Sequence, residues 1–101
     1  MFTANKPGKK IKEILKTLGD PYEIKIIDME NVIYRNLNGT YDFEVSGLDN
    51  QKKSFNATIY VWELKDRIHI VETISDIKSL DDLKSTLESI TKKYLNLINL
   101  T

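Results

Sequence analysis

A chain of 101 residues and 11.7 kDa has room for one domain; folding at this size buries roughly 60–70% of the surface that the unfolded chain exposes. Fifteen basic residues balance fifteen acidic ones, so no net field draws in nucleic acid or an anionic membrane. The chain has no cysteine, which excludes disulfides, thiolate metal sites, iron–sulfur clusters and cysteine nucleophiles.

Residues 9–18 are predicted as a helix. Ile11, Ile14, Leu15 and Leu18 recur at i, i+3, i+4 and i+7, while Lys9, Lys10, Lys12, Glu13 and Lys16 take the other side. Gly19 stands where a helix end favours glycine, and Pro21 acts as a stop. Ten residues are too few to hold a helix alone in water, so this one must dock. The period then changes. Tyr22 to Ile26 alternates and begins a strand over about 22–28. Asn31 to Arg35 is a weaker, β-branched stretch, either a second strand over 31–36 or a ragged continuation of the first. Asn38-Gly39 signals a turn. A strand over 41–46 alternates cleanly, and Gly47 to Lys53 is a polar hairpin loop. The strongest strand spans 54–63, Lys65-Asp66 reads as a turn, and a returning strand spans 67–74. Ser79 caps the last element ahead of Asp81 and Asp82, which favour the positive end of a helix dipole. Leu80, Leu83, Leu87, Ile90, Tyr94 and Leu97 then form one apolar stripe along a helix over 80–98.

Strands joined by short loops, with no helix between them, imply an antiparallel meander. The expected fold is α+β: a two-layer sandwich in which a four- to five-stranded sheet packs a short N-terminal and a long C-terminal helix on one face.

Strand parity separates the two faces of that sheet. Tyr41, Phe43 and Val45 share the core side, as do Phe55, Ala57, Ile59 and Val61, and Ile68, Ile70 and Ile74. Asp42 and Glu44 take the far side, and so do Tyr60 and Trp62. A two-residue loop at Lys65-Asp66 sets Trp62 opposite His69 and Tyr60 opposite Val71, so that Tyr60, Trp62, His69 and Val71 form the candidate partner-binding patch, whereas a three-residue loop shifts the register and moves His69 away from Trp62. Glu72 is out of place, because it shares the parity of Ile68, Ile70 and Ile74. A lone buried carboxylate is costly, so it needs a bulge, a fraying strand end, or a partner such as Lys25 or Tyr34.

Chemistry-bearing motifs are scarce. Ile59 to Leu64 resembles the short aromatic signature of RNA-recognition motifs, but there a helix follows the strand, whereas here a hairpin does. His69 has no second metal ligand at a workable spacing, the glycines form no phosphate-cradling loop, and no serine sits in a nucleophile elbow. No cofactor or metal is expected. Residues 1–20 carry a net +3 and residues 21–50 a net −4, so Lys9, Lys10, Lys12 and Lys16 form a candidate electrostatic contact.

No run approaches the ~18 apolar residues of a membrane span, and the first fifteen residues hold four lysines and no apolar core of a signal peptide. A cytoplasmic protein is expected. Lysine outnumbers arginine thirteen to two, and isoleucine and asparagine are abundant, a usage that suits an AT-rich bacterial or phage genome. The expected function is that of a small non-enzymatic protein-interaction module acting by occupancy, such as a phage or mobile-element accessory or inhibitor protein. One alternative is single-stranded nucleic-acid binding through the sheet aromatics and the N-terminal lysines. A second is a small-ligand carrier or enzyme. An open edge strand or the aromatic face also allows a homodimer.

Overall fold

The computed structural model describes residues 6–49 and 54–100. Helix α1 (Lys9–Leu18) is followed by strands β1 (Glu23–Ile27), β2 (Glu30–Leu37), β3 (Tyr41–Ser46), β4 (Ala57–Glu63) and β5 (His69–Ile77), then by helix α2 (Leu80–Asn99). The strands form one antiparallel sheet in sequential order. The α+β meander with both helices on one face is therefore the observed architecture. The weak stretch after Asn31 is a full strand of eight residues.

Both helices bury their apolar stripes against the same side of the sheet. Ile11 and Ile14 of α1 and Leu83, Leu87, Ile90 and Tyr94 of α2 meet Ile33, Phe43, Val45, Ile59 and Val61 in one core. Helix α2 begins as its sequence dictates, with Ser79 Oγ accepting from the Asp82 amide at 3.1 Å. Helix α1 has no side-chain cap. Its entry is fixed instead by Asp49, whose carboxylate accepts from the Gly8 amide at 3.0 Å and from Asn31 Nδ2 at 2.6 Å. That clasp ties together the start of α1, β2 and the loop after β3.

The turns explain what the sequence pattern left weak. Asp28 and Met29 link β1 to β2 with φ of 50° and 66°, a left-handed pair that Asn-Gly or Asp-Gly usually announces. Asn38 and Gly39 (φ 53° and 74°) are the expected turn residues, and Gly39 N–H donates to Asn36 Oδ1 at 2.9 Å. Gly47 has a φ of 84°, and a Cβ there would stand 2.5 Å from the Asn56 carbonyl oxygen, so the chain needs glycine as it leaves β3. The rest of the predicted Gly47–Lys53 loop, beyond Asp49, lies outside the described residues.

The β4–β5 hairpin departs most from expectation. The turn is longer than Lys65-Asp66: Glu63 pairs with His69, leaving five residues between them. The ladder slips twice, between Ala57 and Ile59 and between Val61 and Trp62. The second slip leaves Val71 as an extra residue, since Val61 pairs with Glu72 and Trp62 with Ile70. Each extra residue reverses parity. Ile70 thus joins Trp62 on the face away from the helices, 42% exposed, and Ile68 is 66% exposed in the turn; neither is in the core.

Glu72 keeps the parity that made it anomalous, and its partners come from α2 rather than from Lys25 or Tyr34. Tyr94 Oη donates to Glu72 Oε1 at 2.6 Å, and Lys93 Nζ lies 3.0 Å from the same oxygen. The Tyr94 bond above all holds the Glu72 carboxyl below the ordinary range; burial opposes the shift and Lys93 assists it.

Candidate functional site

No described helix crosses the far face of the sheet. Its composition follows from the ladder. Trp62 pairs with Asp42 and Tyr60 with Glu44, and on the next strand Tyr34 pairs with Glu44 and Asn36 with Asp42. Aromatic rings and carboxylates therefore alternate across β2, β3 and β4. Val32 shares this face and is fully buried.

The face is hollowed into two adjoining clefts of about 240 and 380 Å³, which share Ile27, Glu44 and Trp62. Tyr34, Asp42, Leu64 and Ile68 complete the smaller cleft. Asp28, Glu30, Ser46, Tyr60 and Ile70 complete the larger one. All five strands contribute, so the clefts make one trough across the sheet.

Internal hydrogen bonds hold the trough's polar groups in place. Trp62 Nε1 donates to Glu44 Oε1 at 3.1 Å. Tyr34 Oη donates to Asp42 Oδ1 at 2.7 Å, and Asn36 Nδ2 donates to the same oxygen at 2.9 Å. The Gly47 amide donates to Glu30 Oε2 at 2.7 Å. Lys25 Nζ stands 3.8 Å from the centroid of the Tyr34 ring. Burial, and next the bond to Asp42, push the Tyr34 hydroxyl up to about 12. Burial also raises the Glu44 carboxyl above the ordinary range, with Asp28 and Glu30 adding to the shift and the Trp62 indole opposing it. Among the described residues none of Asp28, Glu30, Asp42 and Glu44 is in a salt bridge. Nor do three His, Cys, Asp or Glu side chains converge there to hold a metal ion.

The four patch residues part company. Tyr60 and Trp62 are partly buried walls of the trough. Val71 is the bulge residue, 40% exposed on edge strand β5. His69 takes the parity of the helix-bearing face, opposite Glu63, with Nε2 3.7 Å from Glu63 Oε1 and Nδ1 2.7 Å from the Arg67 carbonyl oxygen. The expected Trp62–His69 and Tyr60–Val71 pairs are replaced by Trp62–Ile70 and Tyr60–Thr73. The longer turn and the bulge at Val71 account for both changes. Lys9, Lys12 and Lys16 are exposed on α1, in the layer on the other side of the sheet. Lys10 lies there too, with Nζ 5.7 Å from the Phe55 ring centroid.

Sequence reasoning missed Ile27, Tyr34 and Ile70 as trough residues. For Ile70 the bulge hid the parity. For Ile27 and Tyr34 the Asp28-Met29 turn gave no recognisable signal, so the register of β1 on β2 was unread. Asp42 and Glu44 were legible as far-face residues, and pairing β3 with β4 would have placed them beside Tyr60 and Trp62.

No protein family, curated protein or solved structure matches the chain. No described helix is long and apolar enough to cross a membrane.

Proposed function

We propose that the protein is a non-enzymatic interaction module that works by occupancy, binding a protein partner in the trough on the far face of its sheet. The observation that carries this reading is the trough itself. Trp62, Tyr60 and Tyr34 are large rings held by hydrogen bonds and strand packing, which supply contact area at little entropic cost. The exposed Ile68 and Ile70 extend the apolar surface along one edge. Residue usage suits a bacterial or phage genome, and together with the small size it suits an accessory or inhibitor protein, which the absence of cysteine leads us to place in the cytoplasm.

Two features weigh against single-stranded nucleic acid. The lysines of α1 and the aromatic rings lie on opposite sides of the sheet, so one strand does not reach both directly. The rings are also interleaved with carboxylates, which repel phosphate. The test is affinity capture with wild type and with Tyr60→Ala/Trp62→Ala, circular dichroism confirming the fold of each. A partner retained equally by both proteins refutes the reading.

A further inference from the structure

The chemistry of the trough specifies what it would hold. This step rests on the far-face reading above and goes beyond it to the occupant. The trough presents Asp28, Glu30, Asp42 and Glu44 with no salt-bridge partner among the described residues, set among Trp62 and Tyr34. Carboxylates alone attract any cation. Here they do not converge on a metal site, and apolar side chains line the clefts beside them. An apolar wall beside an aromatic face, with a carboxylate at its end, matches a long side chain whose stem is aliphatic and whose head is cationic. The chain already makes one such contact, the Lys25 ammonium over the Tyr34 ring at 3.8 Å. Glu44 is central: it lines both clefts, and its other oxygen, Oε2, is not engaged by the Trp62 indole.

We infer that the trough is a docking site for a basic polypeptide segment, which seats a lysine or arginine side chain between Trp62 and Ile27 with its charged head at Glu44 and Asp42. The stem packs on Ile27 and Ile68, and the head forms charge-assisted hydrogen bonds with the carboxylates. Flanking basic residues of the segment face Asp28 and Glu30 in the larger cleft.

The test uses two synthetic probes, hexa-arginine and its neutral isostere hexa-citrulline. Trp62 is the single tryptophan, so its fluorescence and its indole N–H resonance report on the trough alone. Hexa-arginine is expected to shift both signals, with an affinity that falls as salt rises, while hexa-citrulline shifts neither. Glu44→Gln keeps an acceptor for the indole and removes the charge, and should weaken hexa-arginine binding roughly three- to tenfold. Asp42→Asn should weaken it less, because Tyr34 and Asn36 already engage one Asp42 oxygen. If both probes bind equally at Trp62, the basic-segment inference fails while the docking face stands. If neither perturbs Trp62, the inference fails, and the capture experiment decides the docking face by itself. Salt-sensitive self-association of the protein alone, lost in Glu44→Gln, would assign the trough to a second copy and overturn the inference.

Discussion

Replacing Tyr94 with phenylalanine removes one oxygen from a buried site and leaves everything else in place. The Tyr94 ring is 3% exposed, its centroid 4.5 Å from that of Tyr41 and 5.9 Å from that of Phe43, and phenylalanine preserves both contacts. Among the described residues the only interaction deleted is the 2.6 Å hydrogen bond to Glu72. A hydrogen bond to a charged group contributes about 1.5–3 kcal/mol. The lower end applies here, because Glu72 keeps Lys93 and its side chain is 28% exposed, so water replaces part of what is lost. Tyr94→Phe should therefore cost about 1.5 kcal/mol, a fall in Tm of roughly 6–10 °C for a domain of this size. Urea denaturation followed by Trp62 fluorescence measures it. A double-mutant cycle with Glu72→Gln should return a coupling of about 1 kcal/mol. The pH dependence adds a second check. The Glu72 carboxyl sits below its ordinary range in the fold, so its contribution is complete above the unfolded carboxylate range and is lost as pH falls through the lowered folded value. The gap between wild type and Tyr94→Phe should close in acid. A cost under about 0.3 kcal/mol, or a gap unchanged from neutral pH into acid, would refute the account of Glu72 as an edge-strand residue latched to α2.

Three further outcomes follow from particular backbone and charge environments. Gly47→Ala sets a Cβ against the Asn56 carbonyl oxygen at a positive φ, and should cost about 2–4 kcal/mol in equilibrium denaturation. Met29→Gly should stabilise by about 0.5–1 kcal/mol, since relief of a left-handed residue (φ 66°) outweighs the added freedom of the unfolded chain; a destabilised variant would show that the Met29 side chain matters more than its backbone. Glu44→Gln should stabilise at neutral pH, with the gain vanishing in acid, because burial first and then Asp28 and Glu30 raise the Glu44 carboxyl and ionisation works against folding there; thermal melts at neutral and acidic pH read this directly.

The helices and the centre of the sheet were legible because a single period governs each. Helix α1 occupies the predicted 9–18, bounded by its apolar spacing and by Gly19. In β3 the alternation of Tyr41, Phe43 and Val45 with Asp42, Glu44 and Ser46 matches the burial along the strand. Period counting assumes an uninterrupted ladder, and β5 breaks that assumption at Val71. Ile68 and Ile70, which read as core, lie on the trough side, while Glu72 faces the helices. No spacing rule on β5 alone reveals this, since the bulge is a property of its pairing with β4. In the β1–β2 hairpin both strands were legible but the turn between them was not. Its turn residues adopt left-handed conformations without the glycine that normally marks them.

The same bulge that defeats the parity argument also shapes the site. Without the extra residue, the core parity read for β5 would keep Ile70 on the helix-bearing face, away from Trp62. With it, Ile70 pairs with Trp62 and becomes part of the larger cleft, and Glu72 stays within reach of Tyr94. One inserted residue thus turns Ile70 of edge strand β5 toward the trough while Glu72 keeps its polar anchor toward α2. Bulges also discourage a further strand from adding to an open edge. The β5 ladder carries two such irregularities, whereas β1, the other edge, has an unbroken five-residue register and Ile26 51% exposed. Strand addition is thus discouraged along β5, and under the proposed docking reading a partner engages the side-chain face of the trough there rather than the strand's backbone edge.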